Sequence, residues 1–259
     1  MILYFSATGN SKYVAERIAK VTNEECVSIL DVIKDDKYYL SIKANETVGI
    51  VSPTYAWGCP SVIIDFLKNV SLTENKKCYM YYIATYGTTP GNNGYFANKN
   101  LFKSIGREFD AYFSVKMPDT WTPIFNLSNK EKVSEINRKA EPQIDEIIAN
   151  IQNKSSGDFM KNKIPRFTAP FYKPYYDNMR KTKNFTVEDS CIGCRLCEKK
   201  CPVNAIEIKD GKPVWVKDKC VMCLGCLHRC PKFAIQYGKN TKKHGQYKNP
   251  NTKAVSYTH

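Results

Sequence analysis

Through residues 1–117, short apolar runs alternate with stretches in which apolar positions recur every three or four residues. The runs at 2–5, 26–30, 48–51, 78–84 and 111–115 have the length and composition of buried strands. Val14, Ala15 and Ile18 share one helical face, as do Val62, Ile63, Phe66, Leu67 and Val70, and Pro60 is placed to open the second of these helices. Strand followed by helix, repeated, predicts an α/β fold with an open five-stranded parallel sheet and helices on both faces. In such sheets a ligand lies beyond the carboxyl ends of the strands.

The pattern then changes. Ser128-Asn129-Lys130-Glu131 reads as a capping box opening a helix whose apolar face is Val133, Ile136, Ala140, Ile144, Ile147 and Ile151, with Pro142 expected to kink or split it. Residues 156–185 are rich in proline and aromatics, too apolar for a free linker, and are expected to pack across a domain junction. Three short alternating segments, 205–208, 214–216 and 234–237, read as strands, the second reached through the turn Lys209-Asp210-Gly211-Lys212. Residues 239–259 are basic and polar and read as a solvated tail. The expected division is therefore 1–155, a connecting segment at 156–185, a small α+β unit at 186–238, and the tail.

Cysteine placement sharpens this picture. Of eleven cysteines, Cys26, Cys59 and Cys78 are scattered and read as small core residues. The rest form two runs, Cys191-x2-Cys194-x2-Cys197-x3-Cys201-Pro202 and Cys220-x2-Cys223-x2-Cys226-x3-Cys230-Pro231. A mononuclear zinc site wants four ligands and no third cysteine at the same spacing, and a disulfide framework wants an oxidising compartment. The repeated run resembles that of bacterial two-cluster ferredoxins, over residues 186–238. The resemblance implies two [4Fe–4S] clusters, and the fourth cysteine of each run points away from its own neighbours toward the other cluster. One cluster is thus expected on Cys191, Cys194, Cys197 and Cys230, the other on Cys220, Cys223, Cys226 and Cys201. Gly193 and Gly225 are expected to give the backbone room beside the inorganic sulfur.

Three loops leave the predicted strand ends. Ser6-Ala7-Thr8-Gly9-Asn10-Ser11 offers hydroxyls, a glycine and helix N-terminal amides, an anion cradle that matches neither a Walker A loop nor a dinucleotide fingerprint. Pro53-Thr54-Tyr55-Ala56-Trp57-Gly58 and Thr85-Tyr86-Gly87-Thr88-Thr89-Pro90-Gly91 bring aromatic rings. A phosphate cradle with two aromatic loops suits FMN, with Ser6 to Ser11 on the phosphate and Tyr55, Trp57 and Tyr86 around the ring. In this order the loops resemble those of flavodoxins, over about residues 1–118. Serine stands at both ends of the first loop, where many flavodoxins carry threonine.

Charge is unevenly shared, since the whole formal +14 falls on residues 161–259. Two clusters and a flavin phosphate reduce it to roughly +8, a surface able to steer an acidic redox protein, with nucleic acid not expected. No apolar stretch approaches the roughly 20 residues of a membrane span and the N-terminus lacks a signal-peptide pattern, so the cytoplasm is expected. Taken whole, the chain resembles the flavodoxin–ferredoxin fusion proteins of anaerobic microbes, which implies single-electron transfer between FMN and the clusters. An FMN-dependent reductase of a small molecule, fed by its own clusters, is the alternative; a nucleic-acid module with structural clusters is the third. No acid, base or nucleophile constellation stands out, His228 lies inside the second cysteine run, and the other histidines are in the tail.

Overall fold

The computed structural model describes residues 1–42, 46–72 and 78–252. The first half runs β1 (Ile2–Tyr4), α1 (Asn10–Thr22), β2 (Cys26–Ser28), α2 (Ile29–Lys34), β3 (Tyr39–Leu40), β4 (Thr47–Pro53), α3 (Ser61–Asn69) and β5 (Ser71–Leu72). It continues with β6 (Tyr79–Tyr86), α4 (Asn93–Ile105), β7 (Ala111–Lys116), α5 (Lys130–Gln152) and β8 (Gly157–Asp158). The main sheet has the order β2-β1-β4-β6-β7-β8, and all its pairs are parallel. The five expected strands are all present. The sixth, two residues long, extends the edge beyond β7, where Gly157 N–H donates to Asp110 O at 2.9 Å.

Alternation along the strands builds two cores, because successive side chains point to opposite faces. Leu3, Ile50, Met80 and Tyr82 face α3 and α4, packing with Ile63, Phe66, Leu67 and Leu101. Ile2, Val51, Tyr81, Phe113 and Val115 face the other way, against Val14 and Ile18 of α1 and Ala140, Ile144 and Ile148 of α5. Each fully buried aliphatic side chain here contributes about 1.5–3 kcal/mol. Cys59 and Cys78 sit in the first core and Cys26 borders the second. Arg17 of α1 reaches Glu141 and, at 2.8 Å, Asp145 of α5, tying the two helices on that face.

Three expectations for α5 are corrected. It is capped by Asn129, whose Oδ1 accepts from Lys132 N–H at 2.9 Å, so Ser128 lies one position outside the cap. Pro142 sits within a continuous 23-residue helix; it neither splits the element nor interrupts its apolar face. Ile136 is only half-buried, and the position on the buried stripe is Asn137.

Residues 156–185 do pack across a junction. They form α6 (Ala169–Met179), with Pro174 inside it, and lead into β9 (Phe185–Val187). Tyr172 of α6 donates its hydroxyl to Cys59 O in the first half, and Tyr176 donates to Val221 O in the second at 2.7 Å. Gly58 makes the first contact possible, since a Cβ there would lie 2.3 Å from the Tyr172 ring. The small unit follows as α7 (Leu196–Lys199), β10 (Ile206–Lys209), β11 (Lys212–Trp215), α8 (Gly225–Arg229) and β12 (Ile235–Tyr237). β10 and β11 form a hairpin, Asp210 and Gly211 both adopting positive φ (48° and 75°), as a tight two-residue hairpin turn requires. β12 pairs antiparallel with β9.

The segment expected as a solvated tail is another correction. Residues 239–252 form α9 (Thr241–His244) and then pack back on the first half, with Tyr247 and Asn249 buried; 253–259 lie outside the described residues. Its buried hydroxyphenyl and amide groups find partners on the larger half, which offsets the cost of ordering a polar segment.

Candidate functional site

The two cysteine runs share one backbone. Gly193 and Met222, two residues after the first cysteine of each run, have φ of 63° and 57°; Arg195 and Leu224 have 62° and 52°; Asn204 and Phe233 have 48° and 50°. The left-handed residues bend each run around a cavity. Cys191, Cys194, Cys197 and Cys230 line one, and Cys201, Cys220, Cys223 and Cys226 line the other. The fourth cysteine of each run therefore stands with the first three of the other. The quartets ring cavities: among the described residues, no three or more His, Cys, Asp or Glu side chains are arranged to hold a single metal ion.

Backbone amides point at the sulfurs. Ala205 N–H donates to Cys201 Sγ at 3.2 Å and Ala234 N–H to Cys230 Sγ at 3.3 Å, equivalent positions in the two repeats, and Met222 N–H donates to Cys220 Sγ at 3.2 Å. Burial first, and then neighbouring sulfurs, push Cys220 up to about 12 and Cys226 well above the usual thiol range. Burial likewise raises Cys197 and Cys223 to about 11. Such thiols stay protonated until a cation offsets both effects, which an iron core bound by thiolates does. Met222 adopts the conformation of Gly193, so the bend itself does not demand glycine, but a Cβ on Gly193 would lie 2.8 Å from Gly211 O. Gly225 opens α8 beside a ligand sulfur: a Cβ there would lie 3.5 Å from Cys223 Sγ and 3.8 Å from Ala7 Cβ.

A third and larger cavity opens at the carboxyl ends of β1, β4, β6 and β7, with about 1060 Å³ of atom-free space including its mouth. Ser6, Thr8, Asn10, Ser11, Pro53, Thr54, Tyr55, Trp57, Thr85, Tyr86 and Gly87 all line it. Gly9 and Gly58 do not: they lie behind it, packed on the 249–252 segment and on Tyr172. In the first loop Gly9 has φ 101° and donates its N–H to Ser6 Oγ at 3.1 Å. The first helical bond is Tyr13 N–H to Gly9 O, so the amides of the cavity-lining Asn10 and Ser11 have no carbonyl one turn back within α1. Amides at the positive end of a 13-residue helix suit an anion. Ser11 Oγ lies 2.8 Å from Thr85 Oγ1, joining the first loop to the third.

The second loop is a tight turn in which Ala56 and Trp57 have φ of 49° and 65° and Tyr55 and Gly58 exchange both backbone bonds. Asn93 holds its start, donating to Pro53 O at 3.1 Å and Thr54 Oγ1 at 2.9 Å while accepting from Tyr82 at 2.6 Å. Trp57, half-exposed at the rim, stacks on Tyr175 of α6 with centroids 5.1 Å apart, and Tyr55 packs edge-on to Phe5.

Sequence reasoning missed two walls of this cavity. One is the loop after β7, carrying Pro118, Asp119, Thr120, Trp121 and Ile124; its place at a strand's carboxyl end was the available signal. Asp119 packs where a Gly87 Cβ would clash at 2.2 Å, and burial holds its carboxyl above the usual range although Trp121 N–H donates to it at 3.0 Å. The other wall is Met222, Cys223 and Leu224 of the second cysteine run, which no local pattern announces. Arg229 follows the same path, donating to Ser6 O at 3.0 Å. His228 is fully buried between Thr120 O (2.8 Å from Nε2) and Tyr247 N–H (3.2 Å to Nδ1).

Comparison with known proteins decides the family. The family model described as a flavodoxin domain matches residues 1–146, more than half of the chain, and that of a 4Fe-4S dicluster domain matches residues 190–235. The chain belongs to the flavodoxin domain family and is a flavodoxin–ferredoxin fusion. Over 30 residues it is 53% identical to a ferredoxin of Acetoanaerobium sticklandii, which amounts to 12% of this chain and 54% of that protein. The match thus spans about half the ferredoxin's length. Both matched domains support an electron-transfer role, and the dicluster match supports iron–sulfur clusters. Among the described residues no helix is long and apolar enough to cross a membrane.

Proposed function

We propose that the fusion relays single electrons between FMN, held in the large cavity, and two [4Fe–4S] clusters held by the crossed cysteine quartets. One observation carries the reading: Cys223 and Leu224 wall both the large cavity and the cavity of the Cys201, Cys220, Cys223 and Cys226 quartet. A single stretch of backbone separates the two sites.

The residues fit the groups. The α1 amides with Ser6, Thr8 and Ser11 would take the phosphate, and Tyr55, Trp57 and Tyr86 would flank the ring; the eight thiolates would bind iron. When bound, FMN exchanges two electrons one at a time and each cluster carries one. The protein's part is placement. Tyr172 and Tyr176 lock α6 to both halves, Val221 packs into the core beneath the flavodoxin sheet, and the two sites stay at fixed separation. Sulfurs receiving amide bonds are stabilised when cluster charge becomes more negative.

Anaerobically purified protein should contain about eight iron, eight acid-labile sulfide and one FMN per chain. Stoichiometric zinc without sulfide would remove the clusters from the reading, and failure to take up FMN on reconstitution would reduce the protein to a plain two-cluster carrier. Asp119 supports a second reading, an FMN-dependent reductase, because a carboxyl that burial keeps protonated to higher pH is a proton source inside the cavity. Turnover of a small acceptor faster than protein-to-protein exchange, and lost in Asp119→Asn, would favour it.

A further inference from the structure

The anion cradle is held from behind by a segment that belongs to the other half. After β12 the chain forms α9, and Gln246 Nε2 donates to Leu227 O at 2.7 Å and Cys230 O at 2.8 Å, both in or beside the second cysteine run. The next residues cross to the first loop. The Tyr247 hydroxyl donates to Asn10 Oδ1 at 2.8 Å and lies 3.0 Å from Asn137 Oδ1. Asn249 Nδ2 donates to the same Asn10 oxygen at 3.1 Å, and Asn249 N–H donates to Thr8 O at 2.8 Å. Asn10 Nδ2 in turn donates to Pro118 O at 3.2 Å.

These bonds hold the Asn10 side chain in place: both lone-pair directions of Oδ1 are taken, and one of the two hydrogens on the amide nitrogen holds the loop after β7. The Thr8 carbonyl is drawn back toward Asn249, away from the cavity that the Thr8 side chain lines. Gly9, whose φ of 101° few other residues tolerate, is closed over by Thr252 Oγ1 and Asn249 Cβ, 2.7 and 2.9 Å from a built Cβ. A loop of small polar residues has many conformations, and an anion binds most tightly to the one with its amides already aligned.

We propose that Tyr247 and Asn249 are positioning residues for the phosphate of the flavin, acting through Asn10 and Thr8 to keep the cradle's amides turned toward the cavity. The inference rests on the reading that FMN occupies this cavity, and it separates phosphate recognition from general support of the fold. A segment that only supported the fold would affect all flavins alike, whereas one that aligns the cradle affects only flavins with a phosphate.

The test is fluorescence titration of the full-length, cluster-loaded protein with FMN and, separately, riboflavin, for wild type, Tyr247→Phe, Asn249→Ala and the double variant. Tyr247→Phe keeps the buried ring and removes one bond; unchanged cluster absorbance reports an intact fold. Each single substitution should raise the Kd for FMN about three- to tenfold, the worth of one buried hydrogen bond, and leave that for riboflavin within about twofold. Equal weakening of both flavins, or no weakening of FMN, would overturn the proposal while leaving the flavin site standing. Wild-type protein that binds riboflavin but shows no preference for FMN would overturn it too, and wild type binding neither would overturn the flavin reading itself.

Discussion

Single atoms decide what each cysteine does. Cys201 and Cys230 occupy equivalent places in their runs and accept equivalent amide bonds, yet each lines the cavity of the other run. Cys201→Ser should therefore damage the cluster of Cys220, Cys223 and Cys226, and Cys230→Ser that of Cys191, Cys194 and Cys197, because a serine hydroxyl is a far weaker ligand for iron than a thiolate. Cluster-resolved spectra of the two variants check this; damage confined to the site formed by the first three cysteines of the substituted residue's own run would overturn the assignment. Asp119 gives a pH test. Burial raises its pKa, so between the unfolded value near 3.9 and the raised folded value the folded state binds more protons than the unfolded chain. Stability is then lost as pH rises through that window and stays lost above it. Asp119→Asn keeps an acceptor for Trp121 N–H and removes the titration. In flavin-free protein its melting point should gain on wild type as pH rises above the unfolded value near 3.9, until the folded carboxyl has ionised. A difference that does not change with pH would show that Asp119 does not titrate in this way.

At the scale of elements, what could be read from the sequence was what depends on local pattern. The strands at 2–5, 48–51 and 78–84 were legible because their apolar runs are buried on both faces, and that at 111–115 because Ala111, Phe113 and Val115 bury one face; the structure keeps all four with shifts of a residue or two at their ends. The strand at 26–30 ends sooner, at Ser28, because Ile29 begins α2 and buries its side chain there. The loops were legible as well, since glycine, hydroxyl and aromatic residues at strand ends have few other uses. What escaped depends on partners distant in sequence. Pro142 breaks no helix because α5 is held along its length by Ala140, Ile144 and Ile148 in the core. Residues 239–252 looked like tail because their composition is polar, and their burial rests on Asn10, Asn137 and Thr8, more than a hundred positions away. The same holds for Cys223: its spacing announces a cluster ligand, but nothing local announces that its other side faces the flavodoxin loops.

For the whole molecule these placements imply an order of sites. Cys220 is buried and its quartet adjoins the large cavity, while Cys194 is exposed and its quartet lies beside exposed Ile192, Arg195 and Lys232. Electrons would then pass between FMN and the inner cluster, and leave or enter through the outer one. The formal +14 of residues 161–259 falls on the half that carries this outer face, so an acidic redox protein would be drawn to it before contact. Such attraction acts over a screening length of about 10 Å at 0.1 M salt, whereas transfer inside the chain involves no encounter and should not respond to salt. Lys232→Glu separates the two steps, because its side chain is exposed and borders the outer cavity. At low salt the variant should exchange electrons with an acidic acceptor about two- to fivefold more slowly than wild type, and the difference should close as salt rises. The rate at which flavin and clusters equilibrate after rapid photoreduction should be the same in both proteins and independent of protein concentration. An internal rate that grew in proportion to concentration would mean that electrons pass between molecules, and an external rate unmoved by Lys232→Glu at low salt would place the partner on another face.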